Sequence, residues 1–537
     1  MQNSMVVLLP PLLVLTAAFI TKRVLLSLCL GIVAACFIIA DFSVIKTGTL
    51  VILNLQKQLF NTDNIYTFVF LIALGSLIAL LSHTGGTTAY STIMAKKVSD
   101  AKSAESASLL LSCLLLFDDF FSSITVGCIM CPLTDRFKIP RAKLAFLIDS
   151  MAAPLVVLIP VSSWIATLTM QLHKSGVSND LADNPLILAD PFSLYLKIIP
   201  YIFYSFIIMA SVLFIVRTRI SFGPMRTQED IAQKTGNLYG GKKPSKNIDT
   251  SYCPVDHGSL IDFFLPICLL LVSVFAAILY AGNYHLLGGT NSLLKALSST
   301  DIFLALSTGT VFTLITSFLF FLIKRKMHLK DVPLLIKEGI QLMGPSVAIL
   351  FFAWTFSSLL IHDLKSGTYL ASLVVGNIML PLLPCIFFIV SAITSIAIGS
   401  SWGTIAVMVP LATPMLIQLL GIKTPANPEE VYLLLPLLGA AFAGAIAGDH
   451  ISPISSTTVM SSTSSGAYHA DHVYTQFMYA LPALISTILA YLLAGFLATY
   501  SNALSLLALP GGIIVSLSML YIINLITHKN GFKVDLF

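Results

Sequence analysis

The feature that most constrains the fold of this chain is a succession of long apolar runs. About twenty apolar residues in a helix are needed to cross a hydrocarbon core, and in lipid the backbone must satisfy its own hydrogen bonds. We therefore predict an all-α polytopic membrane protein with about 11–13 transmembrane segments, some of them broken or re-entrant. The runs lie near 5–20, 24–40, 65–82, 106–134, 144–172, 193–216, 259–281, 302–323, 341–361, 368–395, 397–420, 431–447, 476–500 and 503–526, with 47–60 as a weaker candidate.

The composition supports a membrane protein. Of 537 residues, 56% are hydrophobic and only 10% are charged, too few polar side chains to cover a soluble surface of that size. The first ten residues carry no Lys or Arg, so we expect residues 5–20 to be a retained transmembrane helix and not a signal peptide. The net charge of +5 is modest and does not indicate a nucleic-acid partner. Seven of the eight cysteines lie in apolar runs, so no disulfide framework is expected.

Charge in the loops predicts the topology. Basic residues cluster in short loops such as Arg136 to Lys143 and in the long polar segment Arg217 to His257, which we expect on the cytoplasmic side. The loop 173–192 holds three aspartates and is expected to face out. The long polar segment also divides the chain into a first transmembrane half at 1–216, a cytoplasmic linker at 217–258 and a second transmembrane half at 259–537.

Three short motifs of the first half recur in the same order in the second. The offsets are about 280 to 300 residues, which is typical of the weak internal symmetry left by transporter repeats. We therefore predict two inverted repeats. The pairs are His83–Tyr90 with His362–Tyr369, Phe121–Gly127 with Ile398–Thr404, and Asp149–Pro154 with Asp449–Pro453.

A carboxylate, Asp449, follows the apolar run Tyr432 to Ala447. As a helix that run is about 24 Å long, less than the roughly 30 Å of a hydrocarbon core. If the run starts near one surface, Asp449 is therefore expected inside the membrane, before the other surface is reached. Pro453 disfavours helix just before it, and a broken helix frees backbone carbonyls. Carbonyls, hydroxyls and one carboxylate suit a small hard cation, so we interpret this stretch as a cation site. The hydroxyl ligands expected in it are Ser452, Ser455 and Thr457.

Other intramembrane polar residues are candidates for the same site. An acid inside the membrane is a functional hypothesis by default, because its charge is costly to desolvate unless it pairs, binds a cation or is protonated. No basic residue lies deep in an apolar run, which weakens the alternative of a buried ion pair. The candidates are Asp449 and Asp149 as leading carboxylates, Asp118 or Asp119 as an additional ligand or proton carrier, Ser123 and Thr125 as further hydroxyl ligands, and His450 as either a proton carrier or a structural donor.

Several other patterns carry less weight. His469, Asp471 and His472 have metal-ligand character, but we expect them on a solvated turn. Trp164 and Trp402 are expected to pack near the broken segments or at the membrane interface. No phosphate loop of the form GxxxxGK[ST] occurs, and no nucleophile-and-base pair or zinc motif can be assembled. We therefore predict neither ATP-driven transport nor an enzyme, and no cofactor other than the transported Na+ and H+.

Two long motifs and two shorter ones resemble the NhaC family of sodium/proton antiporters. The resemblance implies a multi-pass secondary transporter of the bacterial inner membrane, with inverted repeats and broken helices around a central site. It departs from the family at Ser122, where members usually have Asn, and at Ser456, where they usually have an acid. The motifs are Gly448–Thr458, Asp118–Gly127, Thr134–Ile139 and Arg141–Ala145 leading to Asp149.

The function predicted from the site and the resemblance is exchange of Na+ or Li+ for H+ at a buried aspartate. Some family members exchange organic solutes, such as malate for lactate, or carry amino acids. The alternative is therefore a cation- or proton-coupled carrier of an organic anion or amino acid, which the missing acid at Ser456 favours. A channel is a third alternative, but channels need no carboxylates paired between repeats. The expected partners are small ions or a small-molecule substrate and the lipid bilayer, with a homodimer left open.

Overall fold

A computed structural model of the chain describes residues 5–21, 24–86, 89, 98–116, 119–160, 162, 164–243, 258–291, 295–296, 300–365, 369, 379–423 and 425–530. These residues are mostly helical, with one parallel pair of two-residue strands, Val177–Ser178 and Ile187–Leu188. The α-helices are Leu9–Thr21, Val24–Ile39, Val44–Leu59, Thr62–His83, Ala101–Leu114, Asp119–Arg136, Arg141–Asp149, Ala153–Val156, Ile165–Lys174, Pro191–Ile198, Phe203–Thr218, Gly223–Thr235, Leu260–Ala281, Ile302–Ile323, Val332–Ser358, Leu383–Ile398, Ser401–Leu420, Leu434–His450, Ser456–Ser465, His469–Ala498, Asn502–Ser505 and Ala508–Asn530.

Within the described residues, eight helical stretches are long and apolar enough to cross a membrane. In one of them, Phe203–Thr235, the chain turns at Arg219, whose φ of 58° ends the apolar helix Phe203–Thr218. The prediction of a mostly helical protein with many membrane spans is thus confirmed. The eight are Asn64–His83, Phe203–Thr235, Leu260–Ala281, Phe303–Ile323, Leu380–Ile398, Ser401–Leu420, His469–Ala498 and Ala503–Ile526.

Helices break where the sequence places carboxylates or small polar residues. The run 144–172 is divided into the helix Arg141–Asp149, called here the Asp149 helix, one turn at Ala153–Val156, and the helix Ile165–Lys174. The helix Leu434–His450, the Asp449 helix, stops at His450, and the chain becomes helical again at Ser456–Ser465, the serine-rich helix. Pro453 lies in the second break, where a helix would lose a donor and clash with the proline ring. Pro154 is the second residue of the short turn Ala153–Val156, a position at which a helix tolerates proline.

A further break separates Leu383–Ile398 from Ser401–Leu420, which we call the Ser401 helix. Gly399 ends the first helix with a φ of 70°, a left-handed conformation that glycine adopts without steric cost. A Cβ on Gly399 would also collide with the side chain of Ile454 in the neighbouring break. Ser400 then begins the next helix by accepting a hydrogen bond from the backbone N of Gly403 at 3.2 Å. These two breaks are therefore packed against each other.

The Asp449 helix belongs to the largest hydrophobic cluster formed by the described residues. Every residue from Pro436 to His450 is buried. Close contact with the helix Leu383–Ile398 depends on Gly444 and Gly448, because a Cβ at either position would collide with a carbonyl oxygen of that helix. Ser395 Oγ also donates to the Ala445 carbonyl at 2.6 Å. This tight packing fixes the position of the helix end that carries Asp449.

The polar segment after residue 217, predicted to be a linker, folds onto the transmembrane helices as far as residue 243. It forms the helix Gly223–Thr235, and its Leu238 carbonyl accepts a hydrogen bond from the backbone N of Arg141 at 3.1 Å. Lys143 is 1% exposed and pairs with Glu105 at 2.9 Å and with Glu229 of this segment. The expectation that Arg136 to Lys143 forms a basic loop is wrong for Arg141 and Lys143, which lie in the first turn of the Asp149 helix and are buried. Burial is possible because Lys143 pairs with these two acids, and Arg141 pairs with Asp135 and donates to the Ser465 carbonyl.

Candidate functional site

Asp449 lies at the end of its helix, 4% exposed, and its carboxylate is surrounded by hydroxyl groups. Ser401 Oγ and Thr457 Oγ1 both donate to Asp449 Oδ2, each at 3.4 Å. Ser455 Oγ lies 3.1 Å from Thr457 Oγ1. In the described part of the chain, no lysine or arginine forms an ion pair with Asp449. The site therefore combines one buried carboxylate with neutral hydroxyl groups, which form long hydrogen bonds to it.

Two helix N-termini meet at this carboxylate. Ser401 is the first residue of a 20-residue helix, and Thr457 is the second residue of the 10-residue serine-rich helix. The N-terminal end of a helix carries partial positive charge and unpaired backbone N–H groups, both of which favour an anion. This explains how a carboxylate is held in the core without a basic partner. The motif around Ser401 is recognisable in the sequence, but nothing in the sequence indicates that Ser401 contacts Asp449.

Ser452, which we predicted to be a hydroxyl ligand, lies in the break but makes other contacts. Its Oγ donates to the Ile396 carbonyl at 3.0 Å and accepts from the backbone N of Ile454 at 3.4 Å. Its backbone N donates to the Asp449 carbonyl at 3.0 Å. Ser452 thus fastens the broken segment to the helix Leu383–Ile398, whereas Thr457 and Ser455 are the predicted hydroxyls that lie close to the carboxylate.

Asp149 is the second buried carboxylate and is 1% exposed. Gln476 Nε2 donates to Asp149 Oδ2 at 2.6 Å, and His472 Nε2 lies 3.4 Å from the same oxygen. Gln476 Nε2 also donates to the backbone carbonyl of His450. A single side chain therefore joins Asp149 to the end of the Asp449 helix.

His450 is held by hydrogen bonds on both ring nitrogens. Its Nε2 lies 3.1 Å from Ser150 Oγ, and its Nδ1 lies 2.7 Å from the Tyr204 hydroxyl. One ring nitrogen of a neutral imidazole donates and the other accepts, so both hydroxyls can be satisfied at once. This geometry agrees with the alternative of a structural donor, because the ring ties the two helix breaks to the helix Phe203–Thr218.

The first half contributes Asp119, whose partner Trp164 comes from the break after Asp149. Trp164 Nε1 donates to Asp119 Oδ1 at 3.2 Å, and both residues are buried. The rings of Trp164 and Trp402 lie with their centroids 4.9 Å apart, so the tryptophans pack against each other between the broken segments. The other aspartate of the predicted pair, Asp118, lies outside the described residues.

Ser123 and Thr125 are buried along the interface between the helix Asp119–Arg136 and the serine-rich helix. The Ser123 carbonyl accepts from Ser464 Oγ at 2.7 Å, and a Cβ on Gly127 would collide with Ser464. Ser123 Oγ and Thr125 Oγ1 find no hydrogen-bond partner among the described residues. Neither hydroxyl is hydrogen-bonded to Asp449 or Asp149, so the structure does not bring them into the immediate surroundings of either carboxylate.

The expectation of a solvated turn at His469, Asp471 and His472 is wrong for His472. The helix His469–Ala498, called here the Gln476 helix, begins at that point and buries His472 completely. His472 and Gln476 are four residues apart, so both face Asp149 from one side of that helix. His469 is half-buried and hydrogen-bonded to Ser462 Oγ and the Pro453 carbonyl, and Asp471 pairs with Lys242. The sequence feature that could have identified this pair is the four-residue spacing of His472 and Gln476 at the start of an apolar run.

The ligand chemistry of this core is that of oxygen atoms. Across the described ranges, no three His, Cys, Asp or Glu side chains converge in a way that could hold a metal ion. A cation bound here would therefore depend on hydroxyl, amide and backbone oxygens with one carboxylate. Hard monovalent and divalent cations use these ligands in proteins. The described cysteines, including Cys128 and Cys131, are free thiols.

The fold and this buried polar core are those of a multi-pass membrane transporter. Residues 155–496 match the model of a family described as the Na+/H+ antiporter family. An uncharacterized protein of Haemophilus influenzae is 32% identical over 521 residues, which cover 96% of this chain and 95% of that protein. A malate-2H(+)/Na(+)-lactate antiporter of Bacillus subtilis is 33% identical over 110 residues, which cover 20% of this chain and 21% of that protein.

The chain belongs to the Na+/H+ antiporter family. The matched range covers more than half of its length and includes Asp449 and Gln476, and it begins just after Asp149. The resemblance stated from the sequence motifs is thereby confirmed. The family is one of transporters and not of enzymes.

Proposed function

We propose that this chain exchanges Na+ or Li+ for H+ across the cytoplasmic membrane of a bacterium, with Asp449 as the carboxylate that binds the cation. The observation that carries the proposal is a buried carboxylate at a helix break with hydroxyl donors and, among the described residues, no basic partner. Such a charge is costly unless a cation or a proton neutralises it. Family membership and the bacterial relatives support the same substrate and membrane.

Exchange follows from competition at this carboxylate. Binding of a proton and a cation together would leave excess positive charge in a place of low dielectric, so one displaces the other. Asp149 and Asp119 are the additional carboxylates of the core, and Ser455, Thr457 and Ser401 are the hydroxyl groups closest to the ion. Alternating access then carries the loaded site from one side of the membrane to the other.

The order of the helix breaks supports two related halves, at 1–216 and 259–537. In the first half the helix Ala101–Leu114 ends before the break after Asp149, and in the second the helix Leu383–Ile398 ends before the break after His450. Three shorter apolar helices, Met5–Val14, Leu25–Ile39 and Leu434–His450, accompany the eight long spans. This supports the lower end of the 11–13 predicted segments, arranged as inverted repeats.

A second candidate function is transport of an organic anion coupled to a cation or proton. Two helix N-termini converge at Asp449, and N-termini of this kind also bind carboxylate groups of substrates. Ser456, at the start of the serine-rich helix, occupies the place where the family usually has an acid, so negative charge is reduced there. The partial similarity to a malate and lactate antiporter points in the same direction.

The test is a transport assay with purified protein in sealed liposomes that contain a pH-sensitive dye and an imposed proton gradient. Addition of Na+ or Li+ is expected to dissipate the gradient, and K+ is not. Asp449→Asn should abolish the response while the protein remains inserted, and Asp180→Asn, an exposed aspartate of the loop 173–192, should leave it unchanged. Full coupled exchange by Asp449→Asn would exclude this carboxylate. If the wild-type protein dissipates the gradient on addition of dicarboxylates but not of Na+ or Li+, transport of an organic anion is the correct function.

A further inference from the structure

The two oxygens of the Asp149 carboxylate have different surroundings. Gln476 Nε2 and His472 Nε2 both lie against Oδ2, at 2.6 and 3.4 Å. Oδ1 is buried and accepts no hydrogen bond from the described residues. A buried carboxylate oxygen without a donor carries a desolvation penalty that ordinary protein cores avoid. Oδ1 is therefore positioned to bind something other than a protein donor.

Gln476 presents a second oxygen of the same kind. The side chain is completely buried, and its Oε1 accepts no hydrogen bond within the described part of the chain. The orientation of the amide is set by its surroundings, because Nε2 faces two acceptors, Asp149 Oδ2 and the His450 carbonyl. A flipped amide would place Oε1 against both of them. One carboxylate oxygen and one amide oxygen thus remain available on adjacent side chains.

The Asp149 carboxylate brings negative charge into this part of the core. Among the described residues, no lysine or arginine pairs with Asp149, and the titratable side chains nearest its charge are those of His472, at 3.4 Å, and His450. Carboxylate and amide oxygens are ligands of hard cations, and a buried unpaired carboxylate attracts one. The donors also differ from those of Asp449, whose partners are Ser401 and Thr457. No described side chain hydrogen-bonds to both carboxylates.

We propose that Asp149 Oδ1 and Gln476 Oε1 form a second site for a monovalent cation, separate from the site at Asp449. The proposal rests on the proposed function for the identity of the ion as sodium. The two sites are connected mechanically, because Gln476 Nε2 holds the carbonyl of His450, the residue next to Asp449. An ion that binds Gln476 Oε1 therefore contacts the same amide group that positions the end of the Asp449 helix. Gln476 is a ligand of one site and a positioning residue for the other.

The experiment measures binding of ²²Na+ to the full-length protein in detergent, with choline chloride keeping the ionic strength constant. Wild type is expected to bind about two sodium ions per protein, and Asp449→Asn and Gln476→Met about one each. The double variant should bind none. Gln476→Met keeps the length of the side chain but removes both amide atoms. Gln171→Met, at another buried glutamine with an unpartnered Oε1, is the matched control and should behave as wild type.

A further variant separates ion binding from a structural role. Gln476→Glu keeps an oxygen at the end of the side chain, so it should still bind about two ions, with changed affinity. If Gln476→Met elutes as an aggregate, retention of binding in Gln476→Glu and its loss in Asp149→Asn still decide the question. Melting curves with and without sodium provide a second readout, since bound ions raise the melting temperature.

The outcomes distinguish this site from the proposed function. A single ion that is lost in Asp449→Asn and unaffected by Gln476→Met would overturn the second site and leave the antiporter intact. An ion that persists in Asp449→Asn and is lost in Gln476→Met would establish the second site even if the liposome assay showed no exchange. A folded wild type that binds no sodium would overturn the second site, and the proton-gradient assay would decide the function separately.

Discussion

Arg141 reaches across the core to the last turn of the serine-rich helix, with its Nη1 donating to the Ser465 carbonyl at 2.8 Å. Its Nη2 pairs with Asp135 Oδ2 at 2.6 Å, near the end of the helix Asp119–Arg136. The C-terminal end of a helix carries partial negative charge, which suits a guanidinium group. One side chain therefore joins three helices at the ends that lie away from Asp119, Asp149 and Asp449. The broken ends are joined separately, through Gln476 and His450.

Replacement of Arg141 by Met is expected to destabilise the protein strongly. The substitution leaves Asp135 and the Ser465 carbonyl without their cationic donor. Arg141 is buried and Asp135 half-buried, so the cost is expected to be at most that of breaking a fully buried pair, about 3–5 kcal/mol. Thermal unfolding in detergent measures the effect. Lys197→Met is the control, because its pair with Glu429 is exposed, with 52% and 85% of the side chains accessible. Such surface pairs contribute about 0–1 kcal/mol. Equal melting temperatures for the two variants would contradict the assigned role of Arg141.

Gly448→Ala should weaken the packing of the Asp449 helix. The added Cβ collides with the carbonyl oxygen of Ala392 on a neighbouring helix, and overpacking of this kind costs about 1–3 kcal/mol. Gly48→Ala is the matched control, because a Cβ there meets nothing within 4 Å. In a helix interior that substitution stabilises by about 1 kcal/mol. The two variants should shift the unfolding midpoint in opposite directions, and a shift of the same sign would argue against the close helix contact.

Removal of the hydroxyl groups that contact Asp449 should weaken sodium binding. Thr457→Val and Ser401→Ala each delete one donor to Asp449 Oδ2 and, in the proposed cation site, one oxygen ligand. At about 1 kcal/mol per hydroxyl, the KM for sodium in liposomes should rise roughly fivefold in each variant. Thr413→Val is the control, because that hydroxyl lies on the Ser401 helix but bonds to Ser175 Oγ at 3.3 Å. An unchanged KM in both variants would remove these hydroxyls from the ion site.

Ser456→Asp tests the position at which the resemblance to the family predicts an acid. Residue 456 is the first of the serine-rich helix, where a carboxylate is favoured by the helix dipole. Added negative charge beside the site should lower the KM for sodium in the proton-gradient assay, and the neutral Ser456→Asn should not. If Ser456→Asp instead abolished a response to dicarboxylates that the wild type showed, the organic-anion function would be the correct one.

Local sequence was enough to predict where the helices break, but not which residues contact the breaks. A short apolar run followed by Asp449 and Pro453 predicts where the chain leaves the helix, and Asp149 with Pro154 does the same. Gln476 and His472 were missed because the start of their helix looks polar and surface-exposed in isolation. Helices from distant parts of the chain and the segment after residue 217 cover it. Burial of this kind depends on contacts more than two hundred residues apart, and no local pattern records them.

The complete burial of the Asp449 helix also constrains how the protein is made. This helix has 17 residues, about 25 Å in length, and from Pro436 to His450 it has no face available to lipid. A nascent segment that short, with an aspartate at its end, is a poor candidate for release into the bilayer by itself. Helices synthesised earlier, including Phe203–Thr218 and Leu383–Ile398, must form part of its surroundings before it settles. Assembly at the translocon is therefore expected to be ordered, with the Asp449 helix taking its place after these earlier helices.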